Sequence, residues 1–331
     1  MIRAKLISAY LLLLVVAPFA VQAQSTTTDS DSAKGKAIIR IFTNFHSGFG
    51  SANDDRGFEL NRSYLGYEYS FGKGLSIKAV VDAGKSSKVD DIQRIVFMKN
   101  AQLTWKTGRW NLNFGLISTT QFKVQEDFWG YRYMLISFQD QYKYGSSADL
   151  GASASYRFAD WISADVILVN GEGYKKLQIN DGIQVGSGTT IKPAERLTLR
   201  LYGSINEAAN KSEKDIYNYA MMLGYKSDRY MIAAEYNMLK NAKNVADNDQ
   251  SGISLYTSGK LSDKINLFAR YDQMFSRGDW NIAKDESAII AGAEFRPHKN
   301  IKIAPNFRMI MPEATDAKNR CYAYISCYFG F

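Results

Sequence analysis

Residues that most protein chemistry depends on are scarce in this chain. Its 331 residues include two cysteines, two histidines and five prolines. Cys321 and Cys327 lie six apart near the C-terminus. In an extended strand their Cα atoms would be about 20 Å apart, and a disulfide needs roughly 4.4–6.8 Å. A bridge within one strand is therefore excluded, and the pair reads as two small hydrophobes on one face. His46 falls on a strand and His298 in a turn at the other end of the chain. No HExxH, GxSxG or CxxC spacing occurs, so an enzyme would lack its constellation. His46 near Asp54 and Asp55 reads as a polar rim group, and Gly186–Thr190 lacks the lysine and following helix of a phosphate cradle. Asp247-Asn248-Asp249 is a weak candidate for a divalent cation, having no bidentate acid at a fixed spacing. No cofactor is expected.

Long apolar runs are equally scarce. The one candidate, Leu6 to about Ala20, follows Arg3 and Lys5 and precedes Val21-Gln22-Ala23. That is the layout of a secretory signal peptide cut after Ala23, and the run is short of the ~20 residues of a spanning helix. Residues 1–23 are thus expected to be a signal peptide, 24–36 a polar leader and 37–331 the folded domain. Mean hydropathy is −0.28, which does not argue against a membrane barrel, where polar and lipid-facing residues alternate. The formal net charge of +8 falls to about +6 without Arg3 and Lys5. The basic residues are scattered, and secretion argues against nucleic acid as a partner. A basic inner wall facing anionic solutes suits them better.

Period-two alternation runs through the whole remainder. In 62–71, Leu65, Tyr67, Tyr69 and Phe71 oppose Arg62, Tyr64, Glu68 and Ser70; in 197–206, Leu197, Leu199, Leu201 and Ile205 oppose Thr198, Arg200, Tyr202 and Asn206. Such alternation is half-buried strand. It predicts about sixteen strands, near 36–49, 57–71, 75–84, 95–107, 109–118, 145–158, 161–170, 182–192, 196–206, 215–226, 229–239, 251–260, 264–274, 286–296, 300–312 and 320–331. Short connections such as 72–74, 107–108 and 159–160 alternate with longer polar ones such as 171–181, 240–250 and 275–285. Short inner turns and long outer loops are the habit of an outer-membrane barrel. Unpaired backbone in hydrocarbon costs several kcal/mol per group, so the sheet must close. The fold class expected is an all-β transmembrane antiparallel barrel in outer-membrane lipid. Its last strand ends on Phe331, a pattern that resembles the C-terminal strand read by the outer-membrane insertion machinery.

One connection, 119–144, is far longer than the rest, and a loop of that size in a compact domain is usually functional. Its aromatics, Phe122, Phe128, Trp129, Tyr131 and Tyr133, need burial. Folding inward as a third outer loop would provide it, with Lys123, Glu126, Asp127, Trp129, Arg132 and Tyr133 as constriction residues. A lid or short helix on the rim is the other arrangement. Alternation assigns Arg40, Arg62, Lys78, Arg157, Arg200, Arg270, Arg296 and Arg308 to the lumen as anion-guiding groups, with Lys106 and Lys302. Glu68, Asp82, Asp165, Glu235, Asp272 and Glu294 share that face. Arginine or lysine on the lipid face would cost ~2–4 kcal/mol near the midplane, and a basic lining attracts anions. Pairing of these charges along and across strands is the plainer alternative.

Three segments, FELNRSYLGYEYSF at 58–71, VFMKNAQLTWKTGRWNLNFGL at 96–116 and EDFWGYRYMLISFQDQYKYGSSADLGA at 126–152, resemble porins of the phosphate-selective O/P type. The resemblance implies a sixteen-stranded barrel, commonly a homotrimer, with the third loop in the pore and lumenal arginines and lysines guiding anions. The function it implies is passive diffusion of small hydrophilic solutes with a mild preference for anions, phosphate among them. A plugged adhesive barrel and a barrel-embedded hydrolase are the alternatives.

Overall fold

Side chains of alternating polarity can be satisfied on both faces of a sheet only if each face meets its own solvent, and here the sheet closes on itself. The computed structural model describes residues 34–85, 94–178 and 181–331; the expected signal peptide and most of the leader lie outside them. Among the described residues there are sixteen strands: β1 (Lys34–Gly50), β2 (Arg56–Gly72), β3 (Leu75–Lys85), β4 (Arg94–Thr107), β5 (Trp110–Ser118), β6 (Ala148–Ala159), β7 (Ile162–Val169), β8 (Gln184–Ile191), β9 (Leu197–Asn206), β10 (Ile216–Lys226), β11 (Tyr230–Lys240), β12 (Gln250–Ser262), β13 (Ile265–Ser276), β14 (Glu286–His298), β15 (Ile301–Pro312) and β16 (Arg320–Gly330). Every strand pairs antiparallel with its sequence neighbours, and β1 closes on β16 with Arg40 opposite Gly330. The last three residues of the expected leader, Lys34-Gly35-Lys36, already belong to β1, opposite Ser70, Tyr69 and Glu68.

The outward face is apolar all round the barrel. Leu65, Tyr67, Ile77, Leu103, Leu168, Leu201, Met221, Ile232, Leu255, Leu267, Ile289, Phe307 and Ile325 are exposed there. The opposite face carries buried polar and charged groups, among them Asp82, Asp165, Arg200, Asn218, Glu235, Arg270, Asp272 and Glu294. Closure leaves no sheet edge with unpaired backbone.

Two register shifts that lie away from the short turns re-aim side chains. Val80 pairs with Asn100 but Val81 with Met98, leaving Lys99 as the extra residue of a bulge. A bulge adds one residue to one strand and shifts the phase of the residues beyond it. The exposed apolar positions accordingly run Val96, Met98 before it and Leu103, Trp105 after it. A second shift skips Asn61, where Phe42 pairs with Arg62 and Thr43 with Leu60.

The connection between β5 and β6 is not structureless. It contains two short helices, α1 (Lys123–Trp129) and α2 (Phe138–Gln141). Gly130, at φ 72°, ends α1 and donates its backbone N–H to the carbonyl of Glu126. A left-handed C-cap of this kind favours glycine. The main core joins this segment to the wall: Phe128, Trp129, Tyr131, Tyr133 and Met134 pack with Phe42, Tyr64, Met222, Tyr256, Phe268 and Ile290.

Candidate functional site

A chain that leaves the sheet loses its ladder of backbone hydrogen bonds, and each buried carbonyl then needs another donor. The 119–147 segment obtains them from side chains on the polar face of the sheet. Arg200 on β9 donates to the Thr120 carbonyl (3.1 Å), Asn218 on β10 to Tyr144 (3.1 Å) and Gln250 on β12 to Tyr142 (3.2 Å). Arg270 on β13 donates to the Ile136 carbonyl (2.8 Å) and Arg308 on β15 to Met134 (3.1 Å). Five side chains from five strands thus hold one irregular stretch. Glycines make room for it: a Cβ on Gly224 would stand 2.5 Å from the Phe128 ring, and one on Gly252 2.4 Å from Phe138.

The charges of the segment are arranged in layers. Lys123 and Asp127 are exposed and pair with each other one turn apart. Glu126 pairs with Arg132, which also reaches Asp140 at 2.9 Å. Burial alone would lower the Arg132 guanidinium, but Glu126, Tyr64 and Asp140 hold it above its ordinary range. Trp129 is buried, stacks edge-on against Tyr256 and donates its indole N–H to the Leu135 carbonyl at 2.9 Å. Tyr133 donates its hydroxyl to Glu294 at 2.8 Å. Burial and the Glu294 carboxylate both push that phenol above its ordinary range, so it remains a donor.

Between the segment and the strands β1, β2 and β13 to β16 lies a cavity of about 370 Å³. Four arginines line it, Arg62, Arg132, Arg270 and Arg308, against two acids, Asp272 and Glu286. Tyr133 belongs to the lining as well. Of the other residues singled out in the sequence, Arg200 is buried and bound to Asp165 on β7, and Arg296 pairs with Glu294. Arg40, within β1, and Arg157, near the end of β6, are exposed, and Lys78 is half-buried opposite Glu68. Glu126, Asp127, Lys123 and Trp129 lie outside the cavity lining. The structure therefore gathers Arg62, Arg132, Tyr133, Arg270 and Arg308 at one place and leaves the remainder elsewhere.

Sequence reasoning missed several neighbours. Lys99, turned inward by the bulge, donates to the Ser147 hydroxyl at 2.7 Å and lies 4.6 Å from the Tyr174 ring centre. The phase change in the apolar pattern between Met98 and Leu103 was the available signal. Tyr174, from the β7–β8 connection, donates to Asp82 at 2.6 Å, and Arg62 binds the same carboxylate oxygen. Arg200 reaches Asp165 across β8 because Gly188 lies between them; a Cβ there would come within 2.2 Å of the guanidinium. That accounts for one of the glycines in Gly186–Thr190. His46 holds Asp55 through Nε2 and Asn44 through Nδ1, both at 3.0 Å, with its ring stacked on Tyr324. The Asp249 carboxylate accepts the backbone N–H of Asn241 at 3.2 Å, and no cluster of three potential metal ligands occurs among the described residues.

No protein-family model matches the chain, and no curated protein does. Solved structures do. OmpT of Vibrio cholerae aligns over 92% of this chain and 100% of its own at a TM-score of 0.64 and 16% identity. The chain has the sixteen-stranded porin fold. An anion-selective porin from Comamonas acidovorans aligns over 91% of this chain and 100% of its own, at a TM-score of 0.67 and 11% identity. OprB of Pseudomonas putida aligns over 90% and 94%, at 0.70 and 11%. At these identities the likeness is one of fold. A closed sheet with this porin fold and an apolar outside is a membrane barrel of the outer-membrane type.

Proposed function

We propose that the protein is an outer-membrane porin through which small hydrophilic solutes diffuse passively, with a mild preference for anions. The observation that supports this best is the cavity beside the 119–147 segment, which four arginines line and where one of them, Arg308, stands outside the ion pairs that hold the other three. In this reading the segment is the third outer loop, folded inward, and it narrows the channel to the space that Arg62, Arg132, Arg270 and Arg308 share. A positive field in a narrow, low-dielectric passage concentrates anions.

Phosphate is one of the small anions this reading admits. The basic residues of the wall are interleaved with acids, so the preference is for negative charge rather than for phosphate alone. The subunits assemble as a homotrimer in the same reading, and β16 engages the insertion machinery.

The test is reconstitution. Refolded protein in a planar bilayer is expected to give steady ohmic conductance steps, and liposomes carrying it should swell in small sugars. Protein shown to be inserted that gives neither would mean a plugged barrel, and an adhesive role would take precedence.

A further inference from the structure

The four arginines around the cavity are not equivalent. Arg62 is tied to Asp82, Arg132 to Glu126 and Asp140, and Arg270 to Asp272 through two parallel hydrogen bonds of 2.8 and 2.6 Å. The two acids of the lining are also engaged, since Glu286 faces Arg320 at 3.6 Å and the Tyr142 hydroxyl at 3.4 Å. Arg308 differs. Among the described residues no carboxylate comes within 4 Å of it.

Arg308 is nevertheless rigidly placed. Its Nε donates to Asn306 at 2.9 Å, and its Nη2 donates to the Met134 carbonyl at 3.1 Å and to Ser326 at 3.3 Å. The guanidinium carbon lies 3.8 Å from the centre of the Tyr324 ring. Nη1 has no protein partner among the described residues. A guanidinium fixed on one edge and open on the other is a preorganised anion clamp, because the cost of ordering it is met before a ligand arrives.

The rest of the lining is aromatic and aliphatic for the most part, with Asn61 and Gln141 as polar exceptions. Phe42, Tyr64, Tyr322, Tyr324, Ile290 and Ile310 surround the space. At about 370 Å³ it falls at the small end of ligand pockets. A hydrated inorganic anion gains nothing from such walls, whereas a flat apolar body does. A second negative charge on the solute would meet only arginines already paired.

We infer that this cavity is a binding subsite for a monocarboxylate with a flat apolar body, of the benzoate kind, gripped by Arg308. The inference rests on the channel reading and names the solute class it favours.

The experiment measures block of the chloride current through wild-type channels by added benzoate. Benzoate is expected to reduce the current at millimolar concentration. Acetate lacks the body, benzyl alcohol lacks the charge, and phthalate carries a second charge. Each should need roughly tenfold more for half-block, since acetate loses the apolar burial, benzyl alcohol the charged hydrogen bond, and phthalate must bring an unpaired second charge out of water. In Arg308→Gln the half-block concentration of benzoate should rise by about tenfold or more, and Arg308→Lys, which keeps charge but loses the fork, should fall between. Folding of both variants is checked by heat-modifiable migration in gels. Equal block by acetate and benzoate, or an unchanged half-block in both variants, overturns the subsite. If inserted barrels pass no current, the channel reading fails. Calorimetric titration of benzoate into the folded protein in detergent, with heat lost in Arg308→Gln, then decides the subsite independently.

Discussion

The wall at β13 and the wall at β15 hold the same segment through carbonyls two residues apart, yet they do it with different chemistry. Arg270 is buried, saturated by Asp272 and the Ile136 carbonyl, and its guanidinium carbon lies 5.2 Å from the Trp129 ring centre. Arg308 holds the Met134 carbonyl without an ion pair within 4 Å, and the Glu59 carboxylate acts on it only from farther off. Near β13 the positive charge is cancelled locally, and the arginine acts as a staple. Near β15 the charge is left to the cavity. The comparison separates an arginine that keeps the segment in place from one that, in the proposed reading, gives the passage its field, a distinction that counting basic residues cannot make.

That contrast can be broken from its structural side first. Asp272→Asn leaves the Arg270 guanidinium buried without its counter-charge, and removing one partner of a buried pair costs ~3–5 kcal/mol. Urea unfolding followed by tryptophan emission should show the loss, with noisier conductance as the segment loosens. Next, Gly224→Leu forces a side chain into the space of the Phe128 ring, at ~1–3 kcal/mol for overpacking, and should raise mean conductance if the segment shifts.

A smaller effect concerns Tyr133. Its phenol is raised by burial and by Glu294, so its contribution is complete below the unfolded value of about 10 and is lost as pH climbs through the folded value. Tyr133→Phe should cost ~1 kcal/mol at neutral pH. Its stability should then lack the part of the alkaline decline that this phenol causes in the wild type. Smallest in stability, but sharpest in function, is Arg308→Gln. It gives up contacts to neutral groups worth ~1 kcal/mol, yet should move the reversal potential toward the cation side. Arg157→Gln, exposed near a strand end, should move neither.

The strands were legible because a closed barrel imposes one simple rule, a polar inside and an apolar outside, on every residue in turn. Expected and observed limits agree within a few residues, as for 197–206 in β9 and 286–298 in β14 against expected spans of 196–206 and 286–296. The rule fails where the chain leaves it. The bulge at Lys99 adds a residue and turns an unexpected lysine inward. Helix α1 is too short to show a period of 3.6, and its glycine cap at Gly130 was the one local sign. Alternation assigned Arg62, Arg270 and Arg308 to the polar face, but several of the partners come from residues distant in sequence. Asp82 with Tyr174, or Arg308 with Met134, are contacts made by closure and by the segment, and no periodicity encodes them.

The most direct test of the channel account is the zero-current potential of wild-type protein in a planar bilayer across a tenfold potassium chloride gradient. The account predicts steady channels whose reversal potential has the sign of a modest anion preference, from the charge of Arg308 that no ion pair within 4 Å takes up. A reversal potential of cation sign would contradict the reading of the cavity, and inserted protein with no current at all would contradict the passage itself.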